Sequence, residues 1–340
     1  MGKNPIDGFR VKKADISFIG RDLKTPECVL CEKDGTNWVS DGRGGIVKLL
    51  SDGSQTFIRQ TEPTLYGKKG PELQKSVPNG LAFAENGDIL VANYGTSRFE
   101  ITRRNGETRV VYDSIDGHRL GEVNFIYRDS QRRLWFTIAT MKLNWMDGMY
   151  PEGADGYVGM IDDRGIRKLA DGFCYTNEVR LDKKEEYLYI VETGRKCISR
   201  MRVQPDGSLK NREVFGPSDL GPGGFPDGIA FDDYGNLWGT CVWGEKIFAI
   251  TPQGELHTIY EDPNPSAVAE LERCYKEHNL TDDVMKKCES SLTPWMTSVA
   301  FGSSDLKTVY VGSYTGTRVA TFRSPVAGQP MIHWNEKHAD

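Results

Sequence analysis

The chain has 340 residues, 38% of them hydrophobic and 27% charged, which suits a large folded core and not a disordered chain. Its 48 acidic and 43 basic side chains leave a formal charge of −5 with no block of like charge, which speaks against a nucleic-acid binder. No apolar run reaches the ~18 residues of a membrane span.

The opening Met1-Gly2-Lys3-Asn4-Pro5 lacks the apolar core of a signal peptide, and Gly2 lacks the Ser or Thr context of a myristoylation site. The seven cysteines are odd in number and scattered, so the expectation is a reducing, cytoplasmic setting and no disulfide framework.

In chain order, Val11 to Ile19 is expected to form a strand that closes the fold. A diverged hairpin begins at Glu27-Cys28-Val29-Leu30 and returns through Trp38-Val39, with Gly45 to Leu49 following. Clearer copies begin at Pro78-Asn79-Gly80, Val123-Asn124-Phe125, Thr176-Asn177-Glu178, Pro226-Asp227-Gly228 and Thr297-Ser298-Val299. Each is an apolar strand, a polar turn and a second apolar strand, which is the pattern of a β-hairpin. Further strands such as Tyr157–Ile161 and Lys246–Ile250, with turns at Asp52-Gly53, Asn105-Gly106, Asp206-Gly207 and Gln253-Gly254, bring the unit to four strands. Four-stranded units repeating every ~40–50 residues are propeller blades. The expectation is therefore an all-β, six-bladed β-propeller forming a single domain over 1–340.

Two insertions interrupt the repeat. Met141 to Gly156 follows the second strand of blade three. Residues 263–294 carry Ala267, Val268, Leu271 and Tyr275 at helical spacing after Asn264-Pro265, and a second short helix is expected after Thr281. Strand parity puts both insertions on the face that also holds the six blade starts. The longer one reads as a helical lid over a binding rim, because the blades are complete without it.

Innermost strands ring a propeller's channel, so Glu27, Asn79, Asn124, Asn177, Asp227 and Ser298 should converge. Carboxylates and carboxamides are hard oxygen ligands, suited to one divalent ion: Ca²⁺ first, with Mg²⁺ or Mn²⁺ as alternatives. Zinc would recruit His or Cys, and neither stands at these positions. A lone Asn or Asp before a strand is ordinarily a turn residue. Its recurrence at equivalent blade positions favours a metal centre.

These residues resemble the SMP-30/gluconolactonase/luciferin-regenerating-enzyme family, from about Glu27 to about Ser313. The strongest match is Phe225-Pro226-Asp227-Gly228-Ile229-Ala230-Phe231-Asp232 with Gly235-Asn236-Leu237-Trp238. The resemblance implies a divalent metal held by Glu27, Asn177 and Asp227, with Asn124 matching an asparagine that binds metal or substrate in relatives. It implies hydrolysis of a lactone or related ester, with the metal polarising the carbonyl and Asp227 as general base or nucleophile. The alternatives are a metal-stabilised binding propeller or a strictosidine-synthase-like enzyme of different chemistry.

Departures from the family pattern bear on the substrate. Glu178 replaces a common glycine and either points into the site or serves the strand. Arg119 lies in the loop from which sugar-lactone members present an arginine, among neighbours that match poorly. Asn79, Asn124, Arg119, Trp145 and Glu178 are the candidate substrate contacts. Trp145, Met146, Met149, Tyr150, Trp243 and Trp295 either line an apolar pocket, implying a substrate bulkier or more aromatic than a simple sugar lactone, or pack the long loops.

Other signals carry less. Cys28 and Cys31, three apart in a strand, do not share a face. Cys274 and Cys288 lie in the same insertion, with nothing to fix a bond. Gly67-Lys68-Lys69-Gly70 lacks the strand–helix context of a phosphate loop. His118, His257 and His278 read as surface or structural residues. The expected partner is a small-molecule substrate, with no nucleic acid and no membrane, and nothing in the sequence sets an oligomeric state.

Overall fold

The computed structural model describes residues 3–61, 75–290 and 292–336. Met1-Gly2 and the Gly67-Lys68-Lys69-Gly70 stretch lie outside the described residues.

Six four-stranded antiparallel sheets form the blades, each running outward from its first strand. Blade one comprises Val29–Cys31, Asn37–Asp41, Gly45–Leu49 and Gln55–Arg59; blade two comprises Pro78–Phe83, Ile89–Asn93, Arg98–Thr102 and Thr108–Tyr112. Blade three comprises Val123–Arg128, Leu134–Ile138, Gly156–Asp162 and Gly165–Phe173; blade four comprises Thr176–Leu181, Tyr187–Glu192, Cys197–Val203 and Leu209–Phe215. Blade five comprises Pro226–Phe231, Leu237–Cys241, Lys246–Ile250 and Leu256–Glu261. Blade six comprises Met296–Gly302, Thr308–Ser313, Val319–Arg323 and, from the N-terminus, Ser17–Ile19, which pairs antiparallel with Val319–Thr321. That strand closes the ring as expected, and an edge otherwise open for pairing is covered. The first strands of neighbouring blades touch all the way round the axis.

The blades pack on alternate faces through apolar clusters in which Trp38, Trp135 and Trp238 are fully buried. Each indole N–H donates to an acid at the preceding turn: Trp38 to Glu32 at 2.6 Å, Trp135 to Asp129 and Trp238 to Asp232 at 2.9 Å. A buried indole needs such a partner, and the repeat supplies it in three blades.

Helix α1 spans Pro265–Lys276 and helix α2 spans Asp282–Lys286. The Asn264 side chain accepts from the N–H of Ala267 and that of Thr281 from Val284, so both residues cap the helices that follow them. The insertion covers the rim, yet it is no loose lid. Ala267, Val268, Leu271, Cys274, Val284 and Met285 share one buried cluster with Phe225, Val242, Trp243 and Trp295 of the propeller. Lys196 pairs with Glu272 at 2.9 Å, and Tyr275 Oη donates to the Gly194 carbonyl at 2.6 Å. The smaller insertion forms two short 3₁₀ turns, and its Tyr150 stacks on His278, joining the two insertions.

The opposite end of the channel is closed by the C-terminal segment, for which the repeat gave no signal. Gly328 and Gln329 bond to the backbone of Leu306 and Phe231, and His333 and Trp334 are buried against the ends of the inner strands. His333 Nε2 lies 2.9 Å from the Cys31 carbonyl, with its ring 4.7 Å from that of Phe83.

Candidate metal centre

The inner strands reach the rim with an irregularity. In blades two, four, five and six the ladder skips Asn79-Gly80, Asn177-Glu178, Asp227-Gly228 and Thr297-Ser298, and in blade three it skips Asn124. Each is a β-bulge: one extra residue escapes pairing, and its side chain is re-aimed. Here the re-aimed side chains face the axis.

This register corrects one expectation. The blade-six equivalent of Asp227 is Thr297, not Ser298. Thr297 lines the cavity, and its hydroxyl donates to the Glu27 carbonyl at 2.7 Å.

The cavity at the rim has a volume of about 370 Å³, and Glu27, Asn79, Asn124, Asn177 and Asp227 all line it. Oδ1 of Asn124, Asn177 and Asp227 are each buried without a hydrogen-bond partner. A buried acceptor left unpaired costs about 1–3 kcal/mol, so three in one cavity call for a ligand that supplies positive charge. The Asn177 amide donates to Thr193 Oγ1 at 3.3 Å, which leaves its oxygen for the cavity. Thr193 in turn donates to the Pro226 carbonyl at 2.7 Å, beside Asp227.

Electrostatics agree. Burial, then repulsion from Asp227 and Glu178, raises the Glu27 carboxyl well above its ordinary range. Burial and Glu178 do the same to Asp227, which Asn177 partly offsets. Glu178 is itself pushed up to about 7 by burial, against the pull of Arg180 at 3.1 Å. With Arg180 balancing Glu178, the floor is left with two carboxyls, Glu27 and Asp227, whose ionised forms together carry the charge that would match one divalent cation. Among the described residues no group of three or more His, Cys, Asp or Glu is placed to hold a metal. The set here is two carboxylates completed by carboxamides, which suits an oxygen-seeking ion.

Trp145 lines the cavity, as do Trp243 and Trp295, whereas Met149 and Tyr150 are buried in the insertion cluster. Two expected substrate contacts are not brought to the cavity. Arg119 is exposed on a small hairpin, Ser114–Ile115 with His118–Arg119, and its guanidinium donates to the Met141 carbonyl. Glu178, one residue past Asn177, turns away from the cavity to Arg180 and to the N–H of Ile229. All seven cysteines are free and buried.

Thr25, Tyr94, Tyr175 and Tyr314 line the cavity without a signal in the sequence, whereas Trp295 stands among its aromatic candidates. Thr25, Tyr175 and Trp295 stand two residues before Glu27, Asn177 and Thr297, with left-handed φ of 48°, 51° and 51°. That backbone is costly for a bulky side chain. Asp282 and Lys286 reach the cavity from α2.

Residues 22–271 match the SMP-30/Gluconolactonase/LRE-like region. The chain belongs to that family. Over 152 residues it is 24% identical to the 6-deoxy-6-sulfogluconolactonase of Pseudomonas putida, covering 45% of this chain and 42% of that protein. Against the gluconolactonase of Zymomonas mobilis the identity is 25% over 266 residues, covering 69% of this chain and 72% of that one. The chain thus spans less than half the length of the first relative and more than two thirds of the second. Among solved structures, a calcium-binding regucalcin from Agrobacterium tumefaciens shares the fold at a TM-score of 0.61 and 14% identity, covering 94% of this chain and 98% of that one. No helix among the described residues is long and apolar enough to cross a membrane.

Proposed function

We propose that this family member is a divalent-cation-dependent hydrolase that opens a lactone or related cyclic ester. The observation that carries the reading is the set of partnerless oxygens of Asn124, Asn177 and Asp227 in one cavity with Glu27. Membership in the family, and the lactonase names of two relatives, support it.

Glu27, Asn124, Asn177 and Asp227 would hold the cation, with Ca²⁺ the first choice and Mg²⁺ or Mn²⁺ the alternatives. Such an ion supplies charge that polarises an ester carbonyl. The chain's own residues do the rest. Asp227, through a carboxylate oxygen that the cation would leave free, takes the proton of a water attacking the carbonyl carbon. It returns that proton to the ring oxygen as the ring C–O bond breaks, the role of a general base and then acid. In a covalent route that carboxylate oxygen attacks the carbonyl carbon, and the ring C–O bond breaks with the ring oxygen leaving as an alcohol once protonated. Water then hydrolyses the acyl–Asp227 anhydride to release the hydroxy acid. Asn79 lies among the same lining residues and orients the substrate. The aromatic walls exclude bulk water.

The test is a hydrolysis screen of aliphatic, sugar and aryl lactones with the protein loaded with Ca²⁺, Mg²⁺ or Mn²⁺, or stripped by chelator. Metal-restored opening of at least one lactone supports the reading. Full activity after exhaustive chelation, or no turnover of any lactone by metal-loaded protein, overturns it.

A further inference from the structure

Above its polar floor the cavity is walled by Tyr94, Trp145, Tyr175, Trp243, Trp295 and Tyr314. The rings form a continuous array. Trp145 stacks on Trp243 with centroids 6.4 Å apart, Trp243 meets Trp295 edge-on at 6.1 Å, and Trp295 stacks on Tyr314 at 5.7 Å. Trp145 also packs on Tyr175 at 5.6 Å.

These tryptophans differ from the scaffold's. Trp38, Trp135 and Trp238 each donate their indole N–H to a carboxylate. Nε1 of Trp243 and of Trp295 is buried with no partner. The three blade-core tryptophans have a built partner, and these two lining tryptophans have none. The left-handed backbone at Tyr175 and Trp295 points the same way, since strain of this kind persists where a side chain must be held in place.

The walls hold few charged groups. Among the described lining residues, the only ones besides Glu27 and Asp227 are Asp282 and Lys286 of α2, and Arg119 is turned elsewhere. A ring seated between the indoles meets aromatic carbon over most of its faces, which suits an arene more than a ring bearing a hydroxyl at every carbon, and leaves the indole N–H groups for an oxygen of the ligand.

We propose that the cavity selects an aryl-bearing lactone or ester, its ring held among Trp145, Trp243, Trp295 and Tyr314 with its carbonyl toward Asp227. This rests on the hydrolase reading for the reaction, but not for the binding. An aromatic pair adds about 0.5–1.5 kcal/mol beyond its buried area, or roughly two- to tenfold in affinity for each ring contact.

Two measurements on the calcium-loaded protein separate the claims. The first compares kcat/KM for dihydrocoumarin, δ-valerolactone and glucono-1,5-lactone, which share a six-membered lactone ring but differ in an arene and in hydroxyls. The second follows tryptophan fluorescence on titration with 3-(2-hydroxyphenyl)propionate or gluconate, the ring-opened acids. An aryl preference of about tenfold over δ-valerolactone is expected. Trp145→Ala should cut the aryl-to-aliphatic ratio about tenfold through KM, and Trp145→Phe should restore most of it. Preferential binding of the aryl acid without hydrolysis of any lactone sinks the hydrolase reading and leaves this inference standing. Turnover with no aryl preference, or a ratio unmoved by Trp145→Ala, overturns this inference and leaves the hydrolase reading intact. If Trp145→Ala does not fold, the wild-type ligand series decides alone.

Discussion

Glu178 Oε2 accepts the backbone N–H of Ile229 at 3.1 Å, tying blade four to the bulge of blade five that carries Asp227. Blade one treats blade two alike: Cys28 Sγ accepts the N–H of Leu81 at 3.4 Å, just past Asn79-Gly80. Gly80 and Gly228 are required by the close approach of the next blade on the other side, since a Cβ at Gly80 would strike Phe125 of blade three and one at Gly228 would strike Ser298 of blade six. Glu178 is thus a strut beneath the cavity floor, and Arg180 is its counter-ion. Glu178→Ala should destabilise the protein by about 3–5 kcal/mol, because it leaves Arg180 buried and unpaired. Glu178→Gln, which keeps an acceptor for Ile229, should cost less, and thermal melts of both variants check the order.

With the carboxyls of Glu27 and Asp227 raised, binding of the proposed cation would release protons. Lowering the pH should therefore weaken cation affinity, and raising it should strengthen affinity until both groups are ionised. Calorimetric titration of Ca²⁺ in two buffers of different ionisation enthalpy should give heats that differ by the protons released. Identical heats would mean that the carboxyls are already ionised without the cation. A cation at ~100 times its Kd should add about 2.7 kcal/mol to stability, and chelation should remove that increment.

Glu245 predicts a stability effect away from the cation. Burial pushes its carboxyl up to about 8, while it accepts from the N–H of Trp295 at 2.7 Å and from Ser290 at 3.3 Å. Between its ordinary value of 4.5 and about 8, the folded protein keeps a proton that the unfolded chain has shed. Stability from this group is complete below the lower value and declines as pH rises through the upper one. Glu245→Gln keeps the acceptor and should flatten that decline between pH 5 and pH 8. Denaturant midpoints across this range measure it.

The helical insertion should resist removal. Deleting 263–294 would expose Phe225, Val242 and Trp243, which it buries together with α1 and α2. An apolar patch of that kind promotes aggregation. The expected product is a poorly soluble or strongly destabilised protein, judged by yield and melting temperature. By contrast, Lys286→Ala on the exposed side of α2 should change stability by no more than about 0.5 kcal/mol.

Strand alternation and turn residues made the blades and their closure legible, and Asn264-Pro265 did so for the start of the first helix, because these are local signals. What escaped reading depends on contacts between distant segments. The bulges add one residue without a composition signal, so Ser298 was aligned in place of Thr297. Arg119 and Glu178 were placed by loop and strand position alone, while neighbouring groups, the Met141 carbonyl and the Arg180 guanidinium, decide where they point. Of the aromatic walls, Trp145, Trp243 and Trp295 are visible in the sequence as residues, but Tyr94, Tyr175, Tyr314 and the array are not, since the rings come from separate stretches of chain.

Asp227→Asn separates the residue's charge from its shape. The substitution keeps the size and one carbonyl oxygen, removes one of the two charges on the floor and puts an amide where a proton acceptor stood. Cation affinity should fall, yet saturation should remain attainable with Glu27, Asn124 and Asn177 in place. At saturating cation, confirmed by titration, turnover of a lactone substrate should drop by about 10²-fold or more, within the range of a lost general base. Asn79→Ala is the internal comparison: it lines the same cavity at an equivalent bulge and holds neither charge nor a family-matched role, so its loss should be much smaller. Wild-type turnover by cation-saturated Asp227→Asn would reduce Asp227 to a ligand. The proton would then need another acceptor in the cavity, and Glu27 is the only other carboxylate on its floor among the described lining residues.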